Sequence, residues 1–267
     1  MPFFVVYLYI HKLKRYMAEF KIPTEIVTLP SKGLLYSKES PLSKGEIEMK
    51  YMTAREEDIL TNVNYIRQGI VLDKLLQSLI VTEINYDDLL VGDKNAILIA
   101  ARVLGYGKDY DITYTDENGI EIKAAVDLTT LENKQVDYSV YKSGSNEFSF
   151  SLPKSGNVVT FKLLTHGDDK KIEAEVKGLQ KINPMISPEM TTRLKYMITS
   201  INGQRDQKDI RDFVDNAFLA PDARALREYY NSVSPDINLK YYPNGNYTGE
   251  GIAIPISLNF FWPDSRV

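Results

Sequence analysis

Cysteine is absent from the 267 residues. That excludes disulfides, thiolate metal sites and a cysteine nucleophile. Histidine is scarce: His11 and His166 are the only two, in no ligand-like pair, which argues against a zinc enzyme. Positive charge is not in surplus either. Lys and Arg number 32 against 36 acids, a net charge of −4, whereas neutralising a phosphate backbone calls for an excess of basic groups. The apolar run at residues 2–10 is too short to span a bilayer. Its basic residues, His11, Lys12, Lys14 and Arg15, follow the run, whereas a secretory signal places them first. Met17 therefore reads as the natural start, with 1–16 an upstream extension. No Gly-x-Gly-x-x-Gly, Walker, Gly-x-Ser-x-Gly or EF-hand pattern occurs, and "GYGKDY" and "GNYTGEG" read as turns. No internal repeat of fixed period is present.

What is there suits a packed core. Hydrophobic residues make up 43% and charged residues 25%, ordinary for a globular chain. Residues 17–45 carry Pro23, Pro30, Gly33, Pro41 and Gly45 and read as an extended arm with turns, outside the packed elements. Alternation of Ile47, Met49 and Tyr51 predicts a strand. Thr53, with Glu56 three residues on, predicts a capping box and a helix start. Apolar residues at helical spacing predict a helix over about 69–81. A third, almost wholly apolar helix is expected from an Asp93 cap to Gly105, with Arg102 reaching a surface or a partner.

Two hairpins follow. One turns at Asn118-Gly119; the other sets Phe148, Phe150 and Leu152 against Val159, Phe161 and Leu163. A helix capped by Thr165, with Asp168 at its third position, places His166 in the first turn. His166 reads either as a general base or as an exposed turn residue; with no Ser or Cys motif near it, the exposed residue is the expectation. A further helix opens at Ser187-Pro188 and ends at Gly203, with Met190, Leu194, Met197 and Ile198 as its core stripe. Two more cover "DQKDIRDFVDNAF" and "PDARALREYY", the charges of the first reading as a solvated face. The tail is strand-like and ends in "FFWPDS".

The sum is an α+β protein: a helical core interrupted by antiparallel β-hairpins, with a C-terminal β segment. Its expected divisions are an extension and arm (1–45), a strand plus helical bundle (46–108), a hairpin region (109–164), a helical region (165–232) and the β segment (233–267), within one compact domain.

Four segments go further: "IPTEIVTLPSKGLLY", "KYMTAREEDIL" followed by "LDKLLQSLI", "LLVGDKNAILIAARVLGYG" and the closing "LNFFWPDS". In this order, from about residue 22 to the C-terminus, they resemble the baseplate-hub assembly protein family of T-even-type contractile-tailed bacteriophages. "MTAREEDIL" and "FFWP" are the most specific pieces. The resemblance implies a hub component or hub assembly factor that works by contact with other baseplate hub and tail proteins in the host cytoplasm, with the virion tail baseplate as a destination. It implies no catalytic residue. Some members carry Cys-x-x-Cys pairs in hairpins matching "YTDENG" and "YYPNGNYTGEG"; here both lack cysteine, so no metal and no cofactor are expected, nor nucleic acid or membrane insertion.

Candidate interface residues are Arg55, Glu57, Phe260, Phe261 and Trp262. In an extended strand Phe261 would point away from Phe260 and Trp262. Either a second layer covers that face and all three are core, or an aromatic near the surface is a docking anchor. Two rivals stand beside this reading. One is a nucleic-acid adaptor stacking bases on Tyr114, Tyr138, Tyr141, Tyr241, Tyr242 and Tyr247. The other is an enzyme built on Glu56, Glu57 and Asp58.

Overall fold

The computed structural model describes residues 21–116, 118–243 and 251–261. Strands β1 (Thr24–Thr28) and β2 (Glu46–Lys50) form an antiparallel pair. Three short helices follow: α1 (Ala54–Leu60), α2 (Val63–Gln68) and α3 (Val71–Leu79), and then the long α4 (Val91–Tyr106). Hairpin β3 (Asp109–Thr115) and β4 (Glu121–Asp127) comes next. A three-stranded sheet is built from β5 (Phe148–Ser151), β6 (Val158–Phe161) and β7 (Ile198–Ile201) in the order β5-β6-β7. Between β6 and β7 lie α5 (His166–Ile182) and α6 (Glu189–Met197); α7 (Gln207–Asn216) and α8 (Ala220–Val233) follow. The tail adds β8 (Lys240–Tyr241), β9 (Ile252–Ala253) and a 3-10 turn at Leu258–Phe261. The class is α+β, with the sheets small and antiparallel.

Helix α4 is the centre. Ala96, Ile97, Leu98, Ile99 and Ala101 are buried on it, as its nearly continuous apolar sequence predicts. Its start differs from the expectation. Leu90 is the cap, and Asp93 sits inside the first turn, fully buried. There Asp93 accepts from Ser31 N–H at 2.9 Å, Ser31 Oγ at 2.7 Å and Tyr36 OH at 2.6 Å. Burial raises its carboxyl pKa, and the Tyr36 and Ser31 bonds pull the other way. A buried carboxylate that spends its acceptors on a distant loop cannot also cap the helix.

The same three bonds explain a second difference. Much of the expected arm is packed, not free: residues 24–28 pair as β1, and Leu29, Leu35 and Leu42 are buried in the common core. Gly33 and Gly45 stand face to face at φ 73 and 74, where a Cβ on Gly33 would lie 2.4 Å from the Ser43 carbonyl oxygen. The tight fold that delivers Ser31 to Asp93 thus depends on glycine.

Both expected hairpins form, with Phe148 opposite Phe161 and Phe150 opposite Val159, but the first is closed by five residues between Thr115 and Glu121 and not by a two-residue Asn118-Gly119 turn. Gly119 takes φ 80 in the first turn, where Asp116 Oδ1 accepts from the N–H groups of Asn118 and Ile120. The helix expected to run to Gly203 stops at Met197. Ile198 is buried, but in β7, opposite Phe161; pairing across the sheet overrides its helical spacing. The start shifts by one residue, so Pro188 rather than Ser187 is the cap, and Met190 is exposed rather than core. His166, expected at the surface, is buried at the start of α5.

At the chain end the extended reading fails. Residues 258–261 coil into the 3-10 turn, which lets Phe260 and Phe261 both be fully buried, their rings edge to face at 5.4 Å. Arg102 makes this possible. Its side chain donates to the carbonyls of Phe260 at 2.9 Å, Gly107 at 2.9 Å and Asp109 at 3.2 Å. So Arg102 reaches inward, to backbone, and not to a surface. Residues 1–20, Tyr247 and Trp262 lie outside the described residues.

Candidate functional site

Glu56, Glu57 and Asp58 resolve into one buried group and two exposed ones. Glu56 has no exposed surface. It accepts from Thr53 N–H at 2.9 Å, completing the capping box, and from the Thr53 hydroxyl at 2.6 Å, Ser78 Oγ at 2.7 Å and Lys50 Nζ at 2.8 Å. Burial alone would raise its pKa, but the bonds from Lys50, Thr53 and Ser78 outweigh that and hold it at about 2. Such a carboxylate stays ionised and cannot exchange a proton near neutral pH. It ties β2, α1 and α3 together. Arg55, Glu57 and Asp58 are exposed on α1, with Glu57 beside Tyr106. The three acids therefore do not converge on one site.

A second cluster lies where α3, α4 and α5 meet. The His166 ring packs edge-on against Tyr86 at 4.7 Å. Lys94 Nζ is 3.1 Å from Nδ1 and 2.6 Å from Asp73 Oδ1, and Asp73 Oδ2 is 3.5 Å from Nε2. An ammonium only donates, so Nδ1 accepts and the ring proton sits on Nε2. Burial, and then Lys94, lower the His166 pKa and keep the ring neutral. The cluster opens on a cleft of about 440 Å³. Among the described residues no serine, threonine or cysteine lines it, so the neutral base faces no hydroxyl or thiol there. The arrangement reads as a polar brace among three helices.

Four of the six tyrosines considered for base stacking are engaged within the fold. Tyr138 and Tyr141 pack edge to face at 5.4 Å, and their hydroxyls donate to the carbonyls of Pro30 and Val233. Tyr114 packs against Tyr241 at 6.1 Å.

One surface stands apart. The buried side chains of α5 end at Ile172, and the rest of the helix projects. Its base is braced: Arg193 pairs with Asp169 at 3.0 Å, and Arg211 grips both Glu175 oxygens at 2.7 and 2.8 Å. At the tip of the α5–α6 hairpin Ile182 is 84% exposed, Met185 92% and Met190 56%, with Ile186 between them. These four large apolar side chains lie close together at the surface, where proteins seldom leave such area uncovered. Sequence reasoning passed over this tip. The signal was an apolar pair, Met185-Ile186, held between the turn dipeptides Asn183-Pro184 and Ser187-Pro188.

The described residues thus form a braced α+β scaffold with a projecting apolar tip. The model of the T4 bacteriophage base plate protein family matches residues 26–216. That is well over half of the chain, and the chain belongs to this family. The match contains "MTAREEDIL", α4 and the α5–α6 tip, and ends before "LNFFWPDS". No curated protein and no solved structure matches the chain. No described helix is long and apolar enough to cross a membrane.

Proposed function

We propose that this baseplate protein serves the central hub, as a hub component or as a factor that helps the hub assemble, and that it acts without catalysis. It binds other hub and tail proteins in the host cytoplasm and carries them toward the tail baseplate. The observation that carries this reading is the α5–α6 tip. Its stem is fixed by charge pairs, and its end offers Ile182, Met185, Ile186 and Met190 to a partner. Arg55 and Glu57, exposed on α1, supply a polar contact elsewhere on the surface. Phe260 and Phe261 act from inside, by holding the chain end against Arg102.

The test is a pull-down from infected cells, paired with mass spectrometry of purified phage. The wild-type chain should bring down named hub proteins. Met185→Asp together with Ile182→Asp should lose them while the protein melts as before. Retention of the same partners by that double variant would move the contact elsewhere. Recovery of nucleic acid in place of hub proteins would favour the adaptor reading.

A further inference from the structure

We propose that β1 is a docking edge for an extended, uncharged segment of another polypeptide, which adds to the β1–β2 pair as a third strand. This rests on the reading that the protein works by contact, and it names a second surface for it. Among the described residues β1 pairs only with β2. The bonds that flank the ladder show which groups point outward. Leu29 N–H donates to Gly45 and Tyr51 N–H donates to Pro23. With the register Glu25↔Met49 and Val27↔Ile47, the odd residues of β1 bond to β2. Thr24, Ile26 and Thr28 therefore aim their N–H and C=O groups away from it.

The other edge of the pair behaves differently. Glu48 of β2 points outward by the same geometry, and there the chain satisfies it. The Glu48 carbonyl accepts from Val81 N–H at 2.8 Å, and its N–H donates to Thr82 Oγ1 at 2.8 Å. Nothing described does this for Ile26. Instead a cleft of about 490 Å³ runs along β1, touching Glu25 to Thr28 and no residue of β2. Its floor is the α4 face of Ala96, Ile99, Ala100 and Val103, and Leu128 stands on the far wall. Ile26 is 58% exposed. Open long edges invite pairing, and proteins normally blunt them with lysine, proline or a covering segment.

These features select the occupant. Unpaired N–H and C=O groups in a row call for an extended backbone, which a helix, bonded to itself, does not offer. The apolar floor calls for apolar side chains at alternate positions. Among the described residues Glu25 is the one charged residue lining the cleft, so the segment is uncharged along its middle, with a basic residue acceptable at the Glu25 end. A five-residue strand covers roughly 17 Å, the length of β1.

Residue-resolved amide exchange tests this, with the full chain free and then in baseplates purified from infected cells. In the free protein Thr24, Ile26 and Thr28 should exchange fast while Glu25 and Val27 are slow. In the baseplate the alternation should vanish, the even amides slowing to the rate of Val27. Even amides that stay fast in the baseplate overturn the proposal. Even amides already slow in the free chain overturn it too, since the edge is then covered by a second copy or by residues 1–20. Deleting 1–20 and measuring the mass in solution tells those two apart.

Ile26→Pro removes the outward N–H and is tolerated on an edge strand. Ile26→Lys blunts the edge without touching the backbone, and so holds the test if the proline variant fails to fold. Both should keep the melting temperature and lose their place in the baseplate. If Ile26→Lys is incorporated like wild type while the tip variant is excluded, the edge proposal fails alone. If both are incorporated, the contact reading fails with it.

Discussion

The surroundings of α4 and the tip of the α5–α6 hairpin treat their side chains in opposite ways. Around α4 the charged groups are inside. Asp93, Arg102 and Glu56 are buried, each makes three or more hydrogen bonds, and each reaches at least one residue more than twenty positions away. At the tip the apolar groups are outside, and the charges lie below, bracing the stem. An interior of satisfied charges makes one rigid arrangement, because removing any partner strands a buried polar group. An exterior of methionine and isoleucine contributes nothing to that arrangement and gains only when something covers it. Stability and partner binding should therefore separate by region.

The strongest test of that separation is Arg102→Met. The variant keeps the volume but leaves the carbonyls of Phe260, Gly107 and Asp109 without their donor. It should cost about 3 kcal/mol, lowering the melting temperature by roughly 6–12 °C. The chain end should become the first segment cut by protease. A variant that melts within a degree of wild type would break the comparison, since the region counted as rigid would not depend on its central cation.

Glu56→Gln should cost about 2 kcal/mol at neutral pH, because an amide cannot accept from Lys50, Thr53 and Ser78 together. The effect has a pH signature. The folded carboxyl is held at about 2, below its ordinary value of 4.5. A depressed pKa stabilises the fold above the ordinary value and loses that contribution as pH falls. The gap between wild type and Glu56→Gln should thus be full above pH 4.5 and close between pH 4.5 and 2, read from urea midpoints across that range. A gap independent of pH would mean that the carboxylate charge does not matter there. Thr53→Ala, which removes the hydroxyl that donates to Glu56, should cost about 1 kcal/mol.

The smallest effect on stability is expected at the tip. Met185→Asp should change unfolding free energy by less than about 0.5 kcal/mol, as surface substitutions do. It should nonetheless weaken hub capture strongly. That contrast with Arg102→Met is the comparison in its sharpest form.

How much of this was legible in the sequence follows from the range of the forces involved. The class, both hairpins, the buried character of α4 and the Thr53–Glu56 and Thr165–Asp168 boxes depend on neighbours a few residues apart, and all could be read. The burial of Leu29, Leu35 and Leu42 could not, because Asp93 binds Ser31 across 62 residues. Strand β7 was hidden because Ile198 fits the spacing of Leu194 and Met197; only pairing with β6 tells strand from helix there. Among the candidate interface residues, Arg55 and Glu57 are exposed. Phe260 and Phe261 are not, because a 3-10 turn lets consecutive rings pack inward where a strand would part them. The tip was missed because Met185 and Ile186 sit between prolines, where period analysis has nothing to count, and because Met190 fits the helical spacing of Leu194 and Met197.

The central claim is that the tip meets a baseplate partner. It is tested most directly by placing a photo-crosslinking residue at position 185 in infected cells, with one at the exposed Lys123 of β4 as the control. Irradiation should join the position-185 protein to a baseplate polypeptide identified by mass spectrometry, with little product from position 123. Equal yields at both positions, or no baseplate polypeptide captured at 185, would contradict it.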